Sequence, residues 1–332
     1  MKIVFFSFKK FEESFYNDLK EDRYNSYVFL SESLSRNTMA LAKDADIIVA
    51  FVEDDVSKEV ISYLARNNLK GICTRSNGYN HIDLKTAQEN NIPIYRVPDY
   101  SPDSVAQHCL ALYLACNRKI CKADQRIKNQ NFSLDGLIGR DISQLTIGVI
   151  GTGKIGSSFV RLMSGFGCKI LGFDLNPNNS LLDILEYKEL DELIRESDVI
   201  SLHIPLTDKT YHLIDKEKIS LMKNDVTLLN TSRGALINTK DLINGLKSGK
   251  FESVALDVYE EETEIFFHDL THEAILDDQL IRLMSFPNVL ITSHQGFLTK
   301  EALLEISEQT KNNILAISSK TPKLNLNKVT FS

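Results

Sequence analysis

Three charged side chains, each placed shortly after an apolar run, could together bind an acid group and move a proton. Arg233 follows VTLLN, Glu262 lies just past VALDVYEE, and His294 ends VLITSH. An arginine fork grips a carboxylate through two parallel hydrogen bonds, and a histidine can protonate a carbonyl oxygen. A carboxylate bonded to that histidine stabilises its charged form and fixes its orientation. Taken alone, the arginine could be a solvated charge, and such a histidine is more often a structural one. The set together would suit the reduction of a 2-keto acid.

The sharpest local signal is a glycine pattern that follows a predicted strand. In LTIGVIGTGKIG an apolar run leads into Gly151, Gly153 and Gly156, and the helical stretch SSFVRLMSGFG follows. The first glycine permits a tight turn, the second lets the backbone approach a pyrophosphate, and the third lets the helix pack closely on the strand. The helix N-terminus then favours the phosphates. We therefore predict a dinucleotide-binding site.

An acidic residue at the end of the next strand indicates which dinucleotide binds. KILGFD ends at Asp174, which follows Gly156 by 18 residues. A carboxylate there can bind the ribose hydroxyls and would repel a 2′-phosphate. Leu175 and Asn176 supply no arginine for such a phosphate, so the sequence predicts NAD rather than NADP. The alternative interpretation is a glycine turn followed by a surface aspartate.

The other histidines have a less suitable context. None of them stands at a strand end with an equally good carboxylate, and His203 is the best of them because Pro205 beside it suggests a turn that contacts the cofactor. The six are His81, His108, His203, His212, His268 and His272.

Short apolar runs alternate with amphipathic stretches along the chain, which is typical of parallel sheets covered by helices. The first third has candidate strands at Ile3–Phe8, Ile47–Phe51, Gly71–Arg75 and Ile92–Arg96. A second series follows at Thr146–Ile150, Lys169–Phe173, Val199–His203, Val226–Asn230, Val254–Asp257 and Val289–Thr292. The chain also exceeds the usual size of one core. We expect two domains, with a substrate domain ahead of the cofactor domain.

Between the two series, Asp103–Lys122 reads as a helix. Pro102 and Asp103 suit its first turn, with Ser101 as a possible N-cap. The run SVAQHCLALYLACNRKI is apolar almost all round, so we expect this helix to be buried on more than one side. A helix that bridges two domains, or one that lies in a subunit interface, would have this pattern.

The overall composition limits the classes of partner. The 332 residues carry a formal net charge of -7, which argues against nucleic acid or an anionic membrane, because both require a basic surface. A small anionic substrate is still compatible, since screening over about 8 Å lets one arginine dominate locally.

Cysteine usage and the first residues of the chain indicate the compartment. Five cysteines make an odd number without a CxxC pair, which indicates reduced thiols and a cytosolic protein, with no disulfide and no metal site. The apolar run in MKIVFFSFKKFEESF is too short for a signal peptide or a membrane span. We therefore expect a cytoplasmic protein.

From about Gly71 to Thr299 the chain resembles the D-isomer-specific 2-hydroxyacid dehydrogenase family, and within it most closely the fermentative D-lactate dehydrogenases. The order and spacing of the motifs match as well. The matching stretches are TRSNGYNHID, VPDYSPDSVAQH, GVIGTGKIG, LHIPLTDKTYHLI, LLNTSRGALI, ALDVYEEETEIFF and NVLITSHQGFLT.

The resemblance implies the role of each catalytic candidate. Arg233 would bind the substrate carboxylate and help polarise the carbonyl. His294 would donate the proton in reduction and accept it in the reverse reaction, with Glu262 as its partner. The reaction implied is the reversible NADH-dependent reduction of pyruvate to D-lactate.

The resemblance also implies the residues that bind substrate and cofactor. Backbone N–H groups of Asn77 and Gly78 would meet the carboxylate, and Tyr100 and Phe297 would lie near the substrate's side chain. The cofactor residues would be Gly151, Gly153, Lys154, Ile155, Gly156, Asp174, His203, Ile204, Pro205, Thr210, Asn230, Thr231, Ser232 and Asp257.

The family fold has two similar doubly wound parallel-sheet domains, Rossmann-like and flavodoxin-like, with a cleft between them. The substrate domain would comprise residues 1–100 and be completed by 299–332, with the NAD-binding domain at 101–298. Helical periodicity from Thr299 through Ser318 agrees with a discontinuous first domain. Family members commonly dimerise through the helix after the first domain, so we expect a homodimer or a higher homo-oligomer.

Two alternatives stay open at this point. Gly296 stands where close relatives usually have alanine, and the lost methyl could loosen the substrate wall. A related enzyme for larger keto acids, such as phenylpyruvate or 2-ketoisocaproate, would then fit. The other alternative is a non-enzymatic NAD sensor, because some transcriptional corepressors resemble this fold and keep these residues.

Overall fold

The structure is a computed structural model that describes residues 1–98, 100–319 and 327–330. The chain forms two compact units, which are described separately. Unit 1 contains Met1–Ser101 and the chain from Leu298 on, and unit 2 contains Pro102–Phe297. Of the segments assigned from sequence to the substrate domain, Asp99, 320–326 and 331–332 lie outside the described residues.

Unit 1 is built on a five-stranded sheet in which every pair of neighbouring strands is parallel. The strand order is β2-β1-β3-β4-β5, which is the order of flavodoxin-like sheets. Strands β3 and β4 are buried along their whole length, as expected for parallel strands covered on both faces. The strands are β1 Lys2–Phe5, β2 Ser26–Phe29, β3 Ile47–Ala50, β4 Gly71–Thr74 and β5 Ile94–Tyr95.

The helices of unit 1 come from both ends of the chain. Helices α1 and α2 follow β3 and β4, and the C-terminal helix Lys300–Ser318 contacts β4. Thr299 caps that helix by accepting a hydrogen bond from the backbone N–H of Ala302. The early helices are α1 Lys58–Arg66 and α2 Leu84–Glu89.

Unit 2 contains a seven-stranded parallel sheet in the order β8-β7-β6-β9-β10-β11-β12. This is the order of dinucleotide-binding sheets, in which ligands bind where the order reverses, here between β6 and β9. The strands are β6 Thr146–Ile150, β7 Lys169–Phe173, β8 Glu186–Tyr187, β9 Val199–Leu202, β10 Val226–Asn230, β11 Phe251–Leu256 and β12 Val289–Ile291.

Eight further α-helices lie in the described part of the chain. Seven belong to unit 2, and the eighth is the C-terminal helix of unit 1. They are α3 Pro102–Asn117, α4 Ile120–Lys128, α5 Lys154–Ser164, α6 Leu190–Glu196, α7 Lys216–Leu221, α8 Thr239–Lys247, α9 Asp278–Met284 and α10 Lys300–Ser318. The expectation of two parallel-sheet α/β domains is confirmed.

The structure differs from the sequence prediction in two strands and one helix. Strands β2 and β8 were not predicted, since β2 is only partly buried at a sheet edge and β8 has two residues. The single helix expected over 103–122 divides at Lys119, whose φ is 53°. Asn117 ends α3 by exchanging two 2.9 Å hydrogen bonds with the backbone of Arg140.

Helix α3 packs mainly against α5 and also against β11 and β10. Its buried residues lie mainly on one face, and Gln107 and Ala111 on the opposite side are exposed. Burial of this helix on more than one side therefore stays a prediction. All five cysteines are free thiols. Within residues 1–98, 100–319 and 327–330, no helix combines the length and apolar character needed to cross a bilayer.

Candidate active site

The glycine turn after β6 has the shape of a pyrophosphate cradle. Gly151 adopts a φ of 95°, and a Cβ built on it would lie 2.5 Å from the carbonyl oxygen of His203. A Cβ on Gly156 would lie 1.9 Å from the carbonyl oxygen of Gly151, whereas one on Gly153 would meet nothing within 4 Å. Helix α5 begins directly after Gly153. The turn therefore leaves open space at a helix N-terminus, which fits a dinucleotide.

Asp174 lies at the end of β7 and is held by the glycine turn itself. Its Oδ2 accepts hydrogen bonds from the backbone N–H of Thr152 (2.6 Å) and from Thr152 Oγ1 (3.3 Å). Its Oδ1 accepts from the N–H of Asn176 at 2.8 Å. The hydroxyl of Tyr187 is 2.8 Å from Thr152 Oγ1. Sequence reasoning missed Tyr187, because a two-residue edge strand leaves no pattern to detect.

The loop after β9 can offer its backbone to a cofactor, because the imidazole of His203 is already engaged inside unit 2. His203 Nε2 lies 2.8 Å from Ser201 Oγ, and its ring is 5.1 Å from that of Phe159. Burial lowers the pKa of His203 to about 3, so the ring is neutral and belongs to the core. Thr210 Oγ1 donates to the carbonyl of Pro205 at 2.7 Å, and this bond closes the loop of residues 205–210.

The turn after β10 is rigid because its own side chains bond its backbone. Asn230 accepts from the N–H of Ser232 at 3.0 Å and donates to the carbonyl of Arg233 at 2.8 Å. Ser232 Oγ donates to the carbonyl of Leu202 in the neighbouring strand at 2.8 Å. The turn thus holds the backbone of Arg233 beside the point where the strand order reverses.

The remaining residues predicted to contact the cofactor lie in the same unit. Lys154 and Ile155 open α5, Ile204 packs against the core, and Thr231 is buried.

Arg233 is half-buried on the turn after β10. Its Nη1 donates to the carbonyl of Ser232 at 2.6 Å, and no carboxylate pairs with it among the residues that the structure describes. A Cβ on Gly234 would lie 2.0 Å from the carbonyl carbon of Tyr259. The arginine turn is therefore in backbone contact with the turn that leads to Glu262.

His294 and Glu262 form the pair that the sequence predicted. His294 Nδ1 is 2.7 Å from Glu262 Oε1, and Glu262 Oε2 accepts from the N–H of Tyr259 at 2.9 Å. His294 has a φ of 51°, and its ring centroid is 5.9 Å from that of Phe267. Its Nε2 has no hydrogen-bond partner in the described part of the chain. The pair can therefore deliver a proton from Nε2 while the carboxylate steadies the charged ring.

Asp257 organises the backbone on which His294 stands. Its carboxylate accepts from Thr292 Oγ1 (2.6 Å), from the N–H groups of Gln295 (2.9 Å) and Gly296 (2.8 Å), and lies 3.2 Å from His108 Nε2. Burial by itself would raise the pKa of Asp257. The hydrogen bonds from His108 and Thr292, together with the electrostatic attraction of His108, lower that pKa below its ordinary value. The carboxylate is thus ionised.

A side chain at position 296 would point toward Asp257. A Cβ at this position would lie 3.0 Å from Asp257 Oδ2, 3.6 Å from His108 Cδ2 and 3.7 Å from Val105 Cγ1. The methyl group that this chain lacks would therefore press on the support of the histidine turn, and the idea that its loss widens the substrate wall finds no support in these contacts.

Three of the predicted substrate residues lie in unit 1 and one in unit 2. Asn77 and Gly78 follow β4, where Asn77 Oδ1 accepts from Arg96 Nη1 at 2.9 Å and the carbonyl of Gly78 accepts from Ser76 Oγ at 2.6 Å. Tyr100 follows β5 in unit 1, and Phe297 is a buried residue at the end of unit 2.

Two histidines that the sequence analysis set aside do pair with carboxylates. His108 lies beside Asp257 as described, and His212 Nε2 lies 2.5 Å from Glu260 Oε1. Neither histidine stands at a strand end, as the sequence indicated, and their carboxylate partners come from distant parts of the chain. No group of three or more potential metal ligands is present in the described ranges.

Comparison with known proteins agrees with this geometry. Residues 110–296 match the family model described as "D-isomer specific 2-hydroxyacid dehydrogenase, NAD binding domain". The chain therefore belongs to the D-isomer-specific 2-hydroxyacid dehydrogenases, as its motifs predicted, and it is an NAD-dependent dehydrogenase.

Individual relatives span nearly the whole chain. A 2-hydroxyacid dehydrogenase homolog of Haemophilus influenzae is 43% identical, covering 96% of this chain and 97% of that protein. The D-lactate dehydrogenase of Escherichia coli is 41% identical, covering 95% and 96%. A structure of D-lactate dehydrogenase from Aquifex aeolicus complexed with NAD and lactic acid has a TM-score of 0.86 at 36% identity, covering 95% of each chain.

Proposed function

We propose that this protein is a D-lactate dehydrogenase, which uses NADH to reduce pyruvate to D-lactate and runs in reverse with NAD. The observation that carries the proposal is the 2.7 Å contact between His294 and Glu262. It lies beside the turn of Arg233, which pairs with no carboxylate in the described ranges of the chain. The similarity to proteins named D-lactate dehydrogenase supports the choice of substrate.

Each of these residues has one task in the proposed reaction. Arg233 binds the keto acid's carboxylate through two parallel hydrogen bonds, which orients the carbonyl group. His294 donates a proton from Nε2 to the carbonyl oxygen during reduction, and Glu262 stabilises the charged ring before the transfer. NADH, when bound at the glycine turn, supplies the hydride for the carbonyl carbon. In the reverse direction His294 accepts the proton from the hydroxyl group.

The two units have different tasks in this proposal. Unit 2 binds NAD through the glycine turn, Asp174 and the loops after β9, β10 and β11. Unit 1 is the substrate domain, in which the backbone N–H groups of Asn77 and Gly78 bind the carboxylate. Tyr100 and Phe297 limit the size of the substrate's side chain. Arg96 supports this assignment, because its bond to Asn77 Oδ1 steadies the loop.

A panel of keto acids tests the proposal. Purified protein is assayed with NADH and with NADPH on pyruvate, 2-ketoisocaproate and phenylpyruvate, and the chirality of the product is assigned. We expect turnover with pyruvate and NADH above about 1 s⁻¹, an ordinary enzyme rate, with D-lactate as the product. Faster turnover of a larger keto acid would contradict the choice of pyruvate, and equal use of NADPH would contradict the role of Asp174. Absence of turnover on every keto acid would favour the NAD-sensor alternative.

A second copy of the chain is the proposed partner. Helix α4 has no buried residue, and five large apolar side chains in and just after it are each more than half exposed. A homodimer that covers them would remove this surface from water. Sedimentation equilibrium should give a dimer or a higher homo-oligomer, and a monomer at micromolar concentration would contradict the proposal. The side chains are Ile120, Ile127, Phe132, Leu134 and Ile138.

The cytosol is the proposed compartment. All five cysteines are free, and Cys73, Cys109 and Cys116 are buried. Burial raises the pKa of each of these three thiols, so they behave as small apolar residues rather than as reactive groups. Such cysteine usage is typical of proteins in reducing compartments.

A further inference from the structure

A histidine outside the predicted catalytic set connects three turns of unit 2. His212, in the loop after β9, lies 2.5 Å from Glu260 through Nε2. The other oxygen of Glu260 accepts from Thr239 Oγ1 at 2.8 Å, at the first residue of α8. The loop after β9, the start of α8 and the turn after β11 therefore meet at one carboxylate.

The second ring nitrogen of His212 identifies its tautomer. Asn238 caps α8, because its Oδ1 accepts from the N–H of Asp241 at 3.0 Å. Its amide nitrogen therefore faces His212 Nδ1, at 3.1 Å. An amide nitrogen only donates, so Nδ1 is the acceptor and Nε2 carries the hydrogen that is donated to Glu260. Protonation at Nδ1 would set two donors against each other and require Asn238 to give up the helix cap.

The backbone holds this histidine in an unusual conformation. His212 has a φ of 51°, a region that non-glycine residues seldom adopt and that is often found at functional sites. Its N–H donates to the carbonyl of Ala235 at 2.8 Å, and Ile214 donates to Leu236 at 2.9 Å. The ring of Tyr211 stacks on its imidazole at 3.9 Å. The loop after β9 is thus tied directly to the segment that follows Arg233.

The same cluster lies next to both catalytic turns. Arg233 is followed by Gly234, where a Cβ would lie 2.4 Å from the backbone nitrogen of Glu260. Glu262, which holds His294, comes two residues after Glu260, and its Oε2 is anchored on the N–H of Tyr259. A shift of Glu260 would therefore move the supports of the carboxylate-binding arginine and of the proton donor together.

We propose that His212 and Glu260 are positioning residues for the reaction: their hydrogen bond holds the turns of Arg233 and Glu262 in register. The inference rests on the proposed function, because the relative position of the two turns matters only if Arg233 and His294 act on the same substrate. Neither residue touches the reacting atoms in this account. The bond acts by fixing where the guanidinium and the imidazole stand.

Two variants of His212 test the proposal. His212→Phe keeps the stacking on Tyr211 but loses both hydrogen bonds, and His212→Gln keeps a donor for Glu260. Because misplacement by about 1 Å can lower a rate about 100-fold, we expect His212→Phe to lower kcat/KM for the keto acid about 10- to 100-fold, with NADH affinity changed less than twofold. His212→Gln should recover most of the loss. His272→Phe, the same substitution at an exposed histidine of unit 2, is the matched control and should leave kcat/KM unchanged.

Two measurements separate positioning from stability alone. Glu260→Leu should lower kcat/KM as His212→Phe does, and the double variant should be no worse than the single ones, because all three lose the hydrogen bond between the two side chains. Nitrogen-15 NMR of the wild type should show a neutral His212 with its hydrogen on Nε2. A lower melting temperature with unchanged kcat and KM would overturn the proposal, as would the other tautomer. If His212→Phe does not fold, the Glu260→Leu kinetics decide.

Each comparison uses the keto acid on which the wild type turns over fastest. A wild type that prefers another keto acid would defeat the D-lactate assignment but leave the ratio of variant to wild type interpretable. A wild type with no activity would defeat the proposed function, and the tautomer would still be measured.

Discussion

The backbone N–H of His294 donates a 2.7 Å hydrogen bond to the carbonyl oxygen of Asp257. The carboxylate of the same aspartate binds the next two backbone N–H groups, at Gln295 and Gly296. The left-handed backbone of the histidine is therefore set by one residue at the end of the neighbouring strand. Asp257 therefore holds the backbone that carries the proposed proton donor.

Asp257→Asn should destabilise unit 2 and lower activity. The amide group cannot accept all of the bonds that the carboxylate accepts, and a buried donor left without a partner costs about 1–3 kcal/mol. The folded-state pKa of Asp257 lies below its ordinary value, so its contribution to stability is present above the unfolded-state pKa and is lost as the pH falls below it. Urea unfolding of both proteins between pH 3 and 7 checks this. A difference in unfolding free energy that did not shrink toward acid pH would contradict it.

His294→Gln should lower turnover while leaving cofactor binding intact. Loss of general acid catalysis lowers a rate by a factor of about 10²–10⁴, whereas the dinucleotide cradle at Gly151 and Asp174 does not involve the imidazole. Stopped-flow reduction of pyruvate gives the rate, and fluorescence titration gives NADH affinity. Turnover equal to that of the wild type would refute the assignment of His294 as the proton donor.

Arg233→Lys should weaken the binding of keto acids because a point charge cannot reproduce the planar fork. Hydrogen bonds to charged groups contribute about 1.5–3 kcal/mol, so we expect KM for pyruvate to rise at least about tenfold. Arg96→Lys serves as a comparison in unit 1, where the bond to Asn77 Oδ1 supports a loop instead of a substrate. Near-normal pyruvate affinity in Arg233→Lys would count against the role given to this residue.

The pH dependence of the stability of unit 1 should include a contribution from the buried carboxyl group of Asp54. Asp54 is 1% exposed and accepts hydrogen bonds from the N–H of Phe51 (2.6 Å), from Ser7 Oγ (2.7 Å) and from the N–H of Leu34 (2.7 Å). Burial outweighs these bonds and raises the pKa of Asp54 from 3.8 to about 6. Its contribution is therefore present below pH 3.8 and is lost as the pH rises through about 6.

Comparison with Asp54→Asn isolates that contribution, because the amide does not titrate. Relative to the variant, the wild type should lose up to about 3 kcal/mol between pH 4 and 7, from about 1.4 kcal/mol for each pKa unit. Hydrogen exchange of β1 and β3 at matched pH reports on unit 1 alone. Parallel pH dependence in the two proteins would show that Asp54 does not titrate in this range.

The strand-end positions of the proposed catalytic residues could be predicted because their signals are local. Arg233 follows the buried strand β10 and His294 follows the partly buried edge strand β12, and the carboxyl ends of parallel strands meet at one edge of the sheet. The short edge strands were missed for the opposite reason. Strand β8 has only two residues, so its pairing with β7 depends on a neighbour already in place rather than on its own apolar pattern.

The supports of the site could not be predicted. His212 and Glu260 are 48 residues apart, and His108 and Thr292, which both bond Asp257, are 184 apart. Nothing in the spacing of such residues distinguishes a partner from a solvated charge. Helix α3 also ends earlier than its apolar pattern suggests, because Asn117 binds the backbone of Arg140 across a long loop.

The amino-acid sequence by itself determined the turn at Gly151, the strand-end locations of Arg233 and His294, and the family to which the chain belongs, because these depend on residue type and on spacing within one element. Only the tertiary structure decided which carboxylate holds which histidine and how the catalytic turns support one another. Those contacts join side chains from different strands, and their geometry exists only after the sheet has assembled and excluded water from them.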